Sequence, residues 1–79
     1  MSRQLADAAE IRRAVQEAVD ALPEIKVDGE RVEVWEPRRH APDDQGCNWS
    51  IDGYDGPDVY EPLVAECTAL VRARYNLRD

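Results

Sequence analysis

The sequence predicts an α+β domain with the order α-β-β-β-α, in which two helices pack on one face of a three-stranded antiparallel sheet. Three observations predict it. Apolar residues recur at helical spacing near both ends of the chain. Between those segments, apolar and polar residues alternate as they do in half-buried strands. The dipeptide Asp28-Gly29 divides the first alternating stretch where a two-residue hairpin would turn. The 79 residues have room for a single domain, 1–79.

The first helix places Leu5, Ala8, Ile11, Val15, Ala18, Val19 and Leu22 on one face. Its start has two readings. Ser2 can be the N-cap, or Asp7 can, with Glu10 completing a capping box. The earlier start is preferred because Leu5 belongs to the apolar stripe. Pro23 ends the helix, since it lacks a backbone donor and biases Leu22 away from helical geometry. A hairpin follows, with Ile25 opposite Val32 and Val27 opposite Glu30 across a type I′ turn at Asp28-Gly29. That register puts Ile25, Val27, Val32 and Val34 on the inner face. Lys26, Arg31, Glu33 and Trp35 take the outer one.

Residues 37–46 contain two prolines and no periodicity, so they read as a loop. The third strand, Cys47 to Asp52, turns Cys47, Trp49 and Ile51 to one side. Gly53 to Asp58 is a turn cluster. The last helix carries Tyr60, Leu63, Val64, Cys67, Leu70, Val71 and Tyr75 at helical spacing. Asp58 and Glu61 could form a capping box, but Pro62 favours Glu61 as the cap with Pro62 at the first helical position. At the other end, Arg72 and Arg74 suit the helix dipole. Asn76 can take the left-handed conformation past the helix, with Leu77 folding back as the hydrophobic contact of a Schellman stop.

Charge narrows the function classes. There are 17 acids against 10 bases, and the net charge is −7. Such a surface repels nucleic acid and anionic membranes and favours a basic protein partner. The order α-β-β-β-α is shared with double-stranded-RNA-binding domains, but those grip phosphates with a basic helix end and a basic loop. Here the turn before the last helix is acidic, so direct nucleic-acid binding is not expected. No apolar run is long enough to span a membrane or act as a signal peptide, so a cytoplasmic location and two reduced thiols are expected. The acids are unevenly placed. Glu24 to Glu36 holds five acids and two bases, and Cys47 to Pro62 holds four acids and no base. Within these stretches Glu33, Trp35, Asp52, Asp55 and Asp58 form the candidate partner-binding set, with the carboxylates steering and Trp35 anchoring. The competing reading of Trp35 is that the 37–46 loop covers it.

Candidate chemistry is sparse. His40 is the single histidine, and a Cys47–His40 nucleophile pair would lack a third group to orient the imidazole. Cys67 lies on the apolar stripe of the last helix and reads as core. His40, Asp43, Asp44 and Cys47 fall close together without the paired Cys or His ligands that zinc prefers. Asp52, Asp55 and Asp58 alternate with glycines, but Tyr54 occupies a position where a calcium loop needs an oxygen ligand. These aspartates are read as turn formers. No catalytic residue, metal or cofactor is therefore assigned.

The stretch Asp43-Asp44-Gln45-Gly46-Cys47-Asn48-Trp49-Ser50-Ile51, with the ending Arg74-Tyr75-Asn76-Leu77, resembles small proteins of bacterial prophages. The resemblance covers the second half of the chain. Size and acidity are similar to those of the anti-CRISPR and DNA-mimic class of phage proteins, which implies no particular functional residue. The leading expectation is a non-enzymatic protein-interaction module that offers an acidic surface to a basic or nucleic-acid-handling partner. The runner-up is a structural or assembly subunit that forms a homodimer. The sequence does not decide between a monomer and a dimer.

Overall fold

The computed structural model describes residues 3–78. Its elements run β1 (Gln4–Ala6), α1 (Ala8–Asp20), α2 (Pro23–Asp28), β2 (Glu33–Val34), β3 (Arg38–Arg39), β4 (Trp49–Ser50), β5 (Tyr54–Asp55), a 3-10 turn (Asp58–Tyr60), α3 (Glu61–Arg72) and β6 (Tyr75–Leu77). The chain is thus α+β. The expected three-stranded meander is absent among the described residues, where the strands form three two-stranded ladders.

The first correction concerns the start of α1. Asp7 is the N-cap, in extended backbone, and its side chain accepts from the Glu10 N–H at 2.8 Å. The preferred Ser2 cap lies outside the described residues. Leu5 is not on the helix. It sits in β1, 59% exposed, and β1 pairs in parallel with β6 so that Leu5 faces Asn76. The expected left-handed stop at Asn76 is likewise replaced by a strand. No described residue other than glycine has positive φ, and Leu77 is buried within β6. At the start of α3 the N-cap is Tyr60 rather than the expected Glu61, no side chain makes a capping bond, and Pro62 is the second helical residue rather than the first.

The second correction concerns residues 23–29. Pro23 does end α1, but it also opens α2, where its fixed φ fits the first helical turn. Gly29 caps that helix in the left-handed conformation (φ 67°, ψ 18°), and its N–H donates to the Ile25 carbonyl at 3.1 Å. A type I′ turn and a helix C-cap both require positive φ at this glycine, so the dipeptide signals either. Ile25 remains buried, whereas Val27 is 84% exposed, the opposite of the hairpin expectation. A Cβ at Gly29 would meet nothing within 4 Å. Gly29→Ala therefore isolates the conformational cost. We expect a loss of about 1 kcal/mol, and a thermal midpoint lower by roughly 4–8 °C, read by circular dichroism.

Released from the hairpin, Val32 and Val34 pair elsewhere. Glu33 and Val34 face Asp55 and Tyr54, and Arg38 and Arg39 face Ser50 and Trp49, all antiparallel. Both ladders keep the same Cα pairing and lie along one two-stranded ribbon, but the hydrogen-bonding phase slips between them, from Trp35 N–H to Gly53 O in the first to His40 N–H to Asn48 O in the second. The ladder breaks at residue 37. Trp35 N–H donates to Gly53 O at 3.0 Å, and regular alternation would make residue 37 the next donor. Pro37 has no N–H to give.

The core lies between α1, α3, the ribbon and β6. Ile11, Val15 and Val19 of α1 meet Val64, Cys67 and Val71 of α3, and Ala6, Ile25, Val32, Val34, Cys47, Trp49, Tyr60 and Leu77 complete it. No polar or charged residue among those described is fully buried. The ribbon tip is bolted to β6. Asn48 accepts from the Leu77 N–H at 2.8 Å and donates to the Leu77 carbonyl at 3.1 Å, while Trp49 Nε1 donates to the Tyr75 carbonyl at 2.9 Å.

Candidate functional site

A groove of about 430 Å³ runs between the 49–55 side of the ribbon and α3. Ile51, Gly53 and Tyr54 line it on the ribbon side. Glu61, Val64, Ala65, Thr68, Ala69 and Arg72 line it along the helix, because residues at i, i+4, i+7 and i+11 share one helical face. Trp35, Asp52 and Asp58 stand at its lip.

The five residues expected to bind a partner divide over this surface. Trp35, Asp52 and Asp58 line the groove, and Glu33 and Asp55 do not. Those two face each other across the first ladder, a like-charge pair that disfavours folding. Arg31 approaches Glu33 only to 3.8 Å, and both side chains are largely exposed. Trp35 is not buried under the 37–46 loop. It is 48% exposed, and its ring lies over Gly53, where an added Cβ would sit 3.0–3.2 Å from ring carbons. Only glycine leaves that ring its place. Asp52 is not a free acid, since Arg38 donates to it twice, at 2.8 and 3.2 Å.

The acids cluster at the Tyr54 end of the groove. The Tyr54 hydroxyl donates to the Pro57 carbonyl at 2.7 Å, and burial, followed by the charges of Asp58 and Glu61, holds its pKa above the ordinary value. At the opposite end Arg72 is fully engaged. Its Nε donates to the Trp49 carbonyl at 3.1 Å and its other arm pairs with Asp43. Asp43 also accepts from the backbone N–H groups of Gln45 and Cys47, so one carboxylate organises the ribbon loop.

The structure separates the residues weighed for catalysis. Cys47 is fully buried, and its thiol donates to the Trp49 carbonyl at 3.4 Å. His40 turns instead to Ser50, with Nε2 2.8 Å from Oγ, and its Nδ1 lies 2.6 Å from the Ala41 carbonyl. A carbonyl can only accept, so Nδ1 carries the proton in that contact. Among the described residues no three or more His, Cys, Asp or Glu side chains gather to hold a metal ion. Among the described residues no helix is long and apolar enough to cross a membrane.

Three aspartates link the stability of the fold to pH. The backbone N–H of Glu10 holds Asp7 below the ordinary carboxylate value, the N–H of Cys47 does so for Asp43, and the Arg38 guanidinium does so for Asp52. Each folded-state pKa is depressed, so the stability it lends is present above the unfolded value near 3.8 and is lost as pH falls through the folded value. Denaturation midpoints are expected to be flat near neutrality and to fall steeply on acidification below about pH 4. Asp43→Asn should flatten part of that fall in urea titrations.

The groove helix was not legible as a site from the sequence. Glu61, Ala65, Thr68, Ala69 and Arg72 lie on the side of α3 away from the apolar stripe, and periodicity alone assigns such a side to solvent. Compared with family models, curated proteins and solved structures, the chain has no match.

Proposed function

We propose that the chain is a small, acidic, non-enzymatic protein-interaction module, an inhibitor of the phage type that its resemblance suggests, which binds a basic or nucleic-acid-handling protein. One observation carries the reading. Trp35, half-exposed, stands at the lip of a groove that Asp52, Asp58 and Glu61 also line. An aromatic anchor ringed by carboxylates suits a cationic protein surface that brings apolar side chains with it. The facing carboxylates of Glu33 and Asp55 add to this, since a cation placed between them would relieve their repulsion.

The test is a complex captured from a host lysate and rebuilt from purified components. Its affinity should fall steeply with added salt, and Asp52→Lys, Asp55→Lys and Asp58→Lys together should abolish it. A complex indifferent to both would reject the reading.

A second reading, assembly as a homodimer, has β1 in its favour. Among the described residues that strand pairs only with β6, and it exposes Leu5. Light scattering at low micromolar concentration separates the two readings, because a stable dimer there supports assembly.

A further inference from the structure

One wall of the groove is the outer edge of the ribbon strand, and that edge offers unused backbone. Among the described residues, the N–H groups of Ile51 and Asp52 donate to no protein acceptor, and Ile51 shares the outward phase of Trp49, while Gly53 turns the other way, its carbonyl accepting from the Trp35 N–H. The edge is capped at one end only, where Arg72 Nε meets the Trp49 carbonyl as the N–H of a neighbouring strand would. The facing wall leaves room. Ala65 and Ala69 are exposed and bring only methyl groups toward the edge. From Glu61 to Arg72 the helix face extends roughly 16 Å. An extended segment of about five residues matches that length.

Charge gives the groove a direction. The strand run 49–54 leads from the Arg72 end toward Asp58 and Glu61. A chain laid antiparallel to it would begin at the acidic end.

We infer that the groove takes an extended segment of a partner protein, about five residues long, added antiparallel to residues 50–54 as a third strand, with Lys or Arg at its first position beside Asp58 and Glu61 and small side chains toward Ala65 and Ala69. This rests on the interaction reading above and adds to it the occupant and its mode of binding. Backbone hydrogen bonds along the open edge supply affinity. The carboxylates and Trp35 select the cationic end.

The experiment is a titration of the ¹⁵N-labelled full chain with the acetylated, amidated pentapeptide RVSVS, followed by amide shifts. Two further peptides carry N-methyl groups at alternate residues, one in each phase. Shifts are expected at residues 50–54 and at Ala65 and Ala69, together with the Trp35 indole. One methylated phase should bind about tenfold more weakly while the other binds as the parent does, because only alternate N–H groups of an added strand face the edge. Ala65→Trp should also weaken binding about tenfold, with the dispersion of its own spectrum reporting its fold. Equal binding by both methylated peptides overturns the strand mode. If charge reversal at Asp58 and Glu61 still weakens binding in that case, the acidic interaction reading survives without the groove. Shifts that appear on concentrating the protein alone would assign the edge to a second copy and overturn the inference. Absence of binding at millimolar peptide would overturn it as well, and the rebuilt partner complex would then test the interaction reading separately.

Discussion

Trp49→Ala should unfold this protein or bring it to the edge of unfolding. Trp49 is fully buried among α1, α3 and β6, and its indole N–H is bonded to the Tyr75 carbonyl. Truncating a buried Trp costs about 3–5 kcal/mol. A chain of this length has about 4–12 kcal/mol in total. The thermal midpoint should drop by roughly 15–30 °C, with loss of the near-ultraviolet dichroism of the packed indole. Trp35→Ala should move the midpoint by only a few degrees, because that ring is half-exposed and rests on Gly53 alone among the glycines. The two tryptophans therefore separate stability from binding. A Trp49→Ala protein that melts like the parent would contradict the packing described here.

Reversing Asp52, Asp55 and Asp58 to Lys should leave the fold standing and remove partner binding. Asp55 and Asp58 are exposed, and neither takes part in a salt bridge with a described residue. Asp55→Lys even converts the repulsive pair with Glu33 into an attractive one. Asp52→Lys does remove the ion pair with Arg38, so it should cost some stability, within the small range of exposed pairs. Against a basic partner, three attractions become three repulsions. The expected loss is about a hundredfold or more near physiological salt, and it should shrink as salt screens both proteins. Binding calorimetry across a salt series reads this. A triple variant that binds as tightly as the parent would mean that the carboxylates do not steer the encounter.

The parts of the fold legible in the sequence were those with long apolar periodicity. The inner faces of α1 and α3 follow from Ile11, Val15 and Val19 and from Val64, Cys67 and Val71, all buried. Val32, Val34, Cys47 and Trp49 were correctly turned inward because they alternate with polar residues. What failed were short elements whose signals serve two structures. Asp28-Gly29 fits a hairpin turn and a helix cap equally, and a six-residue helix is too short to show a period. Leu5 fits the stripe of α1 by spacing, but backbone pairing with residue 76, far along the chain, decides its fate. The candidate site divided in the same way. Trp35 was legible as outward-facing from strand alternation. The groove was not, because its second wall is a helix side that only tertiary packing brings against the ribbon.

The most direct measurement is amide hydrogen exchange of the chain alone and in its rebuilt complex with a basic partner. Protection should appear at Ile51 and Asp52, whose N–H groups have no acceptor in the free chain, and should extend to Trp35 and the exposed side of α3 around Ala65. Protection confined to the exposed sides of α1 and α2, with residues 50–54 exchanging as fast as in the free protein, would show that a partner docks elsewhere.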